Sequence, residues 1–261
     1  MIQPLVPLRL TPFPVVLLAL CILTVQGCFH SGGGGGGGTN NANPVGYYSS
    51  GDVLGGSIAV DDLQAMVAGN RIMMLSATNK LLYDGTITNI TGNDFTANFT
   101  IYTDGENPIT TTASGMITTN SSITGTLSGT GVGSGTFSLL YATTNDQAAA
   151  MVRTWAGAGG GFDNFAFIID DTGSLVHKTT AGMAPFDTCQ MNGTVIPVSG
   201  TRLYNVNVTM TLCNDSMVNG TYTGLTTTRD GTGTDDRLVF LISRDLPDDA
   251  YAFAGELDDD G

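Results

Sequence analysis

Leu203-Tyr204-Asn205-Val206-Asn207-Val208-Thr209-Met210-Thr211-Leu212-Cys213 alternates apolar and polar residues almost without interruption. Tyr204, Val206, Val208, Met210 and Leu212 fall on one side, and Asn205, Asn207, Thr209 and Thr211 on the other. A period of two is that of a half-buried antiparallel strand. Before it, about Cys189 to Val198 reads as the partner strand, and Ser199-Gly200 between them is a hairpin signal.

The same grammar runs through most of the chain. Strands rich in Thr, Val, Ile and Phe are expected near 71–77, 80–89, 94–103, 110–119, 122–129 and 135–142, then near 164–170, 174–179, 218–228, 236–243 and 250–257, separated by turns bearing Gly, Asn or Asp. Helix is scarce: Val60 to Gly69 reads as one or two turns, and Asp146 to Thr154 as a helical link.

Comparing the chain with itself gives two copies of one plan. Asp84-Gly85-Thr86-Ile87-Thr88 and Phe99-Thr100-Ile101 find counterparts in Asn192-Gly193-Thr194-Val195-Ile196 and Val208-Thr209-Met210. Thr91-Gly92 matches Ser199-Gly200, and Gly46-Tyr47-Tyr48 matches Arg153-Thr154-Trp155. Further along, 123–129 is paired with 218–224, and 136–140 with 238–242. The reading is therefore all-β: two tandem antiparallel barrel or sandwich modules, 45–145 and 146–261.

Ahead of the modules, Phe13 to Cys28 is an apolar run ending in a small residue and a cysteine. It is shorter than the roughly twenty apolar residues a bilayer span requires. Arg9 supplies the positive flank, and Val25-Gln26-Gly27-Cys28 resembles a bacterial lipoprotein lipobox. That resemblance implies a signal peptide over 1–27 and lipid on Cys28; Cys21 lies inside the apolar core and follows Leu20. The alternatives are an ordinary secretory signal or an uncleaved anchor, and Pro12 and Pro14 speak against a long membrane helix. Residues 28–44, with Gly32 to Gly38 consecutive, read as a flexible tether. Phe29, not Asp, follows the cysteine, so outer membrane is the default in the Gram-negative sorting rule that the resemblance brings with it.

The chain carries a formal net charge of -14, with 9 Lys+Arg against 23 Asp+Glu. A phosphate backbone would be repelled, so nucleic acid is not an expected partner. Nearly all the acids are Asp in turn contexts, where the side chain bonds its own backbone.

Cys189 and Cys213 form an even pair for an oxidising compartment, and a disulfide between them would staple the hairpin ends. A metal pair with His177, one ligand short of a zinc site, and two free thiols are the alternatives. Catalytic motifs are sparse. Gly131-Val132-Gly133-Ser134-Gly135 lacks the first glycine of a nucleophile elbow in register and reads as a tight turn. Neither Lys80 nor Lys178 follows a glycine, as a phosphate-binding loop requires. His30 lies in the tether, leaving His177, near Asp170 and Asp171, as the candidate base; an ordinary strand histidine is the simpler reading. The acidic pairs Asp61-Asp62, Asp235-Asp236 and Asp248-Asp249 occupy adjacent positions, which in a strand face opposite ways. Asp230 and Asp235 are weak calcium candidates, and the terminal Asp258-Asp259-Asp260 is read as a solvated tail. No cofactor is expected.

The step at Arg153-Thr154-Trp155, the strand ending Asp170-Asp171-Thr172-Gly173, the Cys189-x-x-x-Gly193-Thr194-Val195 hairpin, the strand closing in Cys213, and Gly220-Thr221-Tyr222-Thr223-Gly224-Leu225 together resemble bacterial lipoproteins with lipocalin-like small barrels. The resemblance covers most of 45–257 and implies an architecture but no reaction. Two classes of function lead: a non-catalytic envelope lipoprotein acting by protein or surface contacts, and a carrier whose inward row Tyr204, Val206, Val208 and Met210 lines a cavity for a small apolar ligand. An envelope enzyme using His177 is the third.

Overall fold

The computed structural model describes residues 40–103, 107–142, 151–157, 166–177, 189–214, 216–230, 236–244 and 251–259. The proposed signal, Cys28, the glycine run, Cys21, His30, Asp235, Asp248 and Asp249 lie outside them, as does most of the expected link over 146–154.

The chain is all-β. β1 (Gly46–Leu54), β2 (Leu63–Ala68), β3 (Arg71–Ser76), β4 (Leu81–Thr91), β5 (Asp94–Thr103), β6 (Ile109–Thr118), β7 (Ser122–Gly129) and β8 (Gly133–Tyr141) pair in sequence order and close into one antiparallel barrel. β9 (Arg153–Gly157), β10 (Ala166–Ile169), β11 (Ser174–His177), β12 (Gln190–Pro197), β13 (Tyr204–Thr211), β14 (Gly220–Asp230), β15 (Asp236–Arg244) and β16 (Tyr251–Asp259) repeat that plan, β16 returning to β9. A single 3-10 turn at Ser216–Val218 is the exception among the described residues. Closure leaves neither sheet a free edge.

Several expectations change. Asp258 and Asp259, read as part of a solvated tail, end β16 and pair with Ala156 and Trp155 of β9. Val60 to Gly69 is not helical: Leu63–Ala68 is β2. Its Leu, Gln, Ala and Met are good helix formers, but the segment is covered on both faces, which removes the alternation that would mark a strand. The expected helical link gives way to β9 from Arg153 on. The second half of the internal match is displaced by one strand, because β14 pairs with β13 and is the sixth strand of its barrel, whereas 123–129 is the seventh of the other. Gly/Thr strands of period two resemble one another locally, so a match between them does not fix which neighbour they pair with.

Paired glycines explain why the first half of the match holds. Gly85 faces Phe99 across β4 and β5, and Gly193 faces Val208 across β12 and β13. In each case the larger partner lies against the glycine, where a Cβ would collide. The two hairpins close through Gly92 (φ 61°) and Gly200 (φ 74°), a left-handed conformation that glycine adopts without steric cost.

Each interior is filled by one apolar cluster. Tyr48, Leu63, Ile72, Tyr83, Phe95, Phe99 and Phe137 are among those filling the first, and Trp155, Phe167, Tyr222, Phe240 and Phe253 among those filling the second. Eight strands enclose a space just wide enough for such side chains. A third cluster lies between the barrels. Met66, Ala68, Met73, Leu75, Leu82 and Tyr102 of the first pack with Leu203, Leu225, Val239 and Leu241 of the second. This is why Ile72-Met73-Met74-Leu75 and Leu238-Val239-Phe240-Leu241-Ile242 are continuous apolar runs: one face fills a barrel and the other seals the junction.

The end of the expected tether is not free chain. Ala42 N–H donates to the Gly92 carbonyl (2.7 Å), Asn43 N–H to Thr119 Oγ1 (2.9 Å), and Tyr48 O–H to the Pro44 carbonyl (2.7 Å). Residues 42–44 therefore cap one end of the first barrel.

Candidate functional site

Beside the apolar junction the two outer walls part into a cleft of about 1090 Å³, with residues of both barrels lining it. Strand register builds its walls. On the first barrel, Thr86, Asn98, Thr112 and Ser128 stand opposite one another across β4 to β7, and Asp84, Thr100 and Thr110 form the next row. On the second, Thr223 stands opposite Ser243, and Thr221 lies two residues before Thr223 on β14. The first barrel's positions face outward because Ile87, Phe99, Ala113 and Leu127, one residue out of step, face its core, and the second's because Tyr222 and Ile242 face theirs.

The junction between the walls is a polar knot. Arg71 donates from Nε and Nη2 to the two oxygens of Asp84 (3.0 and 2.6 Å), from Nη1 to Thr223 Oγ1 (2.9 Å), and from Nη2 to the Thr223 carbonyl (3.1 Å) and Ser243 Oγ (2.9 Å). Ser243 Oγ–H donates in turn to Asp84. An ion pair of one barrel is thus held by hydroxyl and carbonyl groups of the other. Bidentate geometry of this kind fixes orientation as well as adding energy.

A second polar bridge borders the apolar seam. Glu256 accepts from Gln64 Nε2 of the first barrel, from Arg229 Nη2 at both oxygens (2.5 and 2.6 Å), and from Arg237 Nη1 (2.9 Å). Tyr47 O–H donates to Gln64 Oε1 (2.7 Å), orienting that amide. Burial works to raise the Glu256 pKa, but the hydrogen bonds from Gln64 and Arg229, the Arg229 charge and the Arg237 bond outweigh it and hold the carboxyl below its ordinary range.

The residues singled out from sequence distribute differently. Cys189 and Cys213 are disulfide-bonded, closing the open end of the β12–β13 hairpin just beyond the Gln190–Thr211 pair. Val206, Val208 and Met210 are core residues packed in the second barrel, and Tyr204 is half-buried against that core. Leu212 leaves the row: β13 ends at Thr211, and Leu212 turns outward with φ 58° and 65 % exposure.

His177 and Asp170 do not meet. His177 pairs with Phe167, whereas Asp170 follows Ile169, the partner of Leu175. The separation along the strand is on the order of 7–10 Å. Asp170 instead accepts from the backbone N–H of Thr172 and Ser174 and from the Thr172 hydroxyl, shaping the turn. Desolvation lowers the His177 pKa, against a backbone hydrogen bond with Cys189 that raises it.

Asp62 is another turn residue, accepting from Ser76 Oγ and Thr78 N–H. Gly131 and Gly133 adopt φ of 94° and 72° in the tight turn before β8. Asp230 pairs with Asp236 in the β14–β15 ladder; Asp235, the other calcium candidate, lies outside the described residues. No group of three or more His, Cys, Asp or Glu residues suited to a metal occurs among the described residues.

Sequence reading missed Arg71, Asp84, Gln64 and Glu256. The available signal was an Arg or Glu set at the border of apolar residues that do not alternate, which marks the rim of a surface buried by something else.

Fold and cleft together define a tandem pair of closed eight-stranded antiparallel barrels with packed interiors, joined by an apolar seam and opening into a polar cleft. No family model, curated protein or solved structure matches the chain.

Proposed function

We propose that the protein is a lipid-anchored lipoprotein of the bacterial envelope, held by lipid on Cys28, with the outer membrane as its default site, and that its double barrel works by contact and not by turnover. The observation that carries this reading is the polarity of the barrels. Their interiors are apolar and filled, and their outward strand positions carry many exposed hydroxyls and amides, such as Thr88, Thr96, Asn98, Thr124, Asn207 and Thr209, with exposed apolar side chains such as Met116 and Ile196 scattered among them. A barrel that spans a bilayer has the reverse arrangement, an apolar band outside. The lipobox-like Val25-Gln26-Gly27-Cys28, the glycine run after it and the resemblance to lipoproteins with tandem lipocalin-like barrels support the same reading. Two barrels locked by an apolar seam and two polar bridges form a firm platform for a partner.

The test is metabolic labelling of the full chain with an alkyne-tagged palmitate in a Gram-negative host. The wild type takes up label and sediments with membranes, and Cys28→Ala abolishes both. A labelled Cys28→Ala variant, or an unlabelled wild type, overturns the anchor. Ester, phosphoester or peptide hydrolysis by the purified full chain that disappears in His177→Ala overturns the non-catalytic half.

A further inference from the structure

We infer that the interbarrel cleft is a binding site for a neutral carbohydrate chain. The inference deepens the contact reading above and rests on it. The cleft meets a sugar's requirements in four respects.

First, the lining is made of groups that both donate and accept. Thr86, Asn98, Thr100, Thr112, Thr221 and Thr223 line it with hydroxyls and an amide. Thr112 donates to the Ser128 carbonyl, Thr221 shares a bond with Thr209 and Thr223 accepts from Arg71, so these three meet a ligand with the roles those bonds leave over. Together the set offers the donors and acceptors that sugar hydroxyls need. A threonine also carries a methyl beside its hydroxyl, giving the C–H edges of a sugar ring something apolar to rest on.

Second, the groups are ordered beforehand. β-Branched side chains on strands have little χ1 freedom, so little is lost when a ligand arrives. Register sets Asn98 against Thr112 and Thr100 against Thr110, so their spacing is that of the sheet.

Third, charge is cancelled locally. Arg71 is spent on Asp84, with Thr223 and Ser243 completing its bonds. Arg244 is buried, donates to the Asn219 and Met217 carbonyls, and stacks over Tyr222 and Tyr251. The cleft therefore offers neither an anion nor a cation a ready counter-charge, and the surrounding chain, at net -14, repels polyanions.

Fourth, closed barrels present no strand edge, so an extended peptide has no backbone ladder to join.

The test is calorimetric titration of the detergent-purified full chain with maltohexaose, cellohexaose and chitohexaose as neutral probes, and hexagalacturonate as the anionic one. At least one neutral hexasaccharide binds, and more tightly than hexagalacturonate. The outward-facing pair Asn98→Ala/Thr112→Ala weakens it about tenfold, as the loss of two hydrogen bonds would. A pair outside the cleft, Thr124→Ala/Thr126→Ala, leaves affinity unchanged. Failure of all three neutral probes at millimolar concentration, tighter binding of hexagalacturonate, or indifference to the Asn98/Thr112 pair overturns the carbohydrate site. Palmitate labelling at Cys28 is read separately, so the anchored-contact reading survives that failure.

Discussion

Tyr48 and Trp155 occupy the same place in their barrels and make the same bond. Each lies on the first strand at 0 % exposure and donates to the carbonyl four residues earlier, Tyr48 O–H to Pro44 and Trp155 Nε1–H to Met151. Burial, with Tyr141 alongside, pushes the Tyr48 phenol up, so it stays a neutral donor. Tyr48→Phe keeps the ring and orphans the Pro44 carbonyl; a loss of about 1–2 kcal/mol in chemical denaturation is expected. An unchanged midpoint would mean that this bond does not secure the 42–44 cap.

Gly85 is where the first barrel gives way to the Phe99 ring. Gly85→Ala places a methyl into that ring, which lies buried in the barrel core, so overpacking lowers stability by about 1–3 kcal/mol. Thermal melts check this, and Phe99→Leu in the same chain recovers part of the loss by making room. Additive losses in the double variant would break the argument.

Leu212 is a leucine in a glycine conformation, at φ 58° and in solvent. The turn it makes carries Cys213 inward to Cys189. Leu212→Asn retains the turn at lower conformational cost and raises the unfolding free energy by up to about 1 kcal/mol. A drop in midpoint would show that the leucine makes contacts that outweigh its strain.

The Cys189–Cys213 bridge closes a loop with a sequence separation of 24. Restricting the denatured chain by that much is worth roughly 3 kcal/mol in the chain-entropy account. Cys189→Ala/Cys213→Ala lowers the melting temperature, and reductant shifts the wild type to the same value without affecting the double variant. Hydrogen exchange distinguishes the barrels, with the faster opening confined to β9–β16.

How much of this was legible depends on what each residue faces. β13 was readable because one side meets core and the other meets water, so Val206, Val208 and Met210 alternate with Asn207 and Thr209. β2 was misread because Met66 and Ala68 on its outer face meet the second barrel, not water. The repeat is visible at Gly85 and Gly193 because packing permits nothing larger there, and it slips at β7 and β8, matched to β14 and β15, because alternating strands bearing Thr and Gly look alike whichever neighbour they pair with. The cleft was illegible because Thr86, Asn98 and Thr223 are ordinary solvent-facing strand residues in sequence; only docking of the barrels makes them neighbours of one space.

Glu256 makes the seam between the barrels acid-sensitive. Its carboxyl is held below the ordinary range in the folded chain, so folding is favoured by its ionised form. That contribution is complete above the unfolded pKa of about 4.3 and is lost as pH falls toward the depressed folded value. Stability should therefore decline in acid below about pH 5. Glu256→Gln should remove Glu256's share of that slope and cost about 1–3 kcal/mol at neutral pH, since Arg229 and Arg237 lose the charge they share. Because Gln64 reaches Glu256 from the other barrel, the loss falls on coupling as well. The variant should unfold in two steps where the wild type unfolds in one, and a calorimetric scan of both chains at pH 7 and pH 4 reads this directly. A Glu256→Gln chain with the wild-type acid slope and a single transition would assign the seam's cohesion to Met66, Met73, Val239 and Leu241 alone.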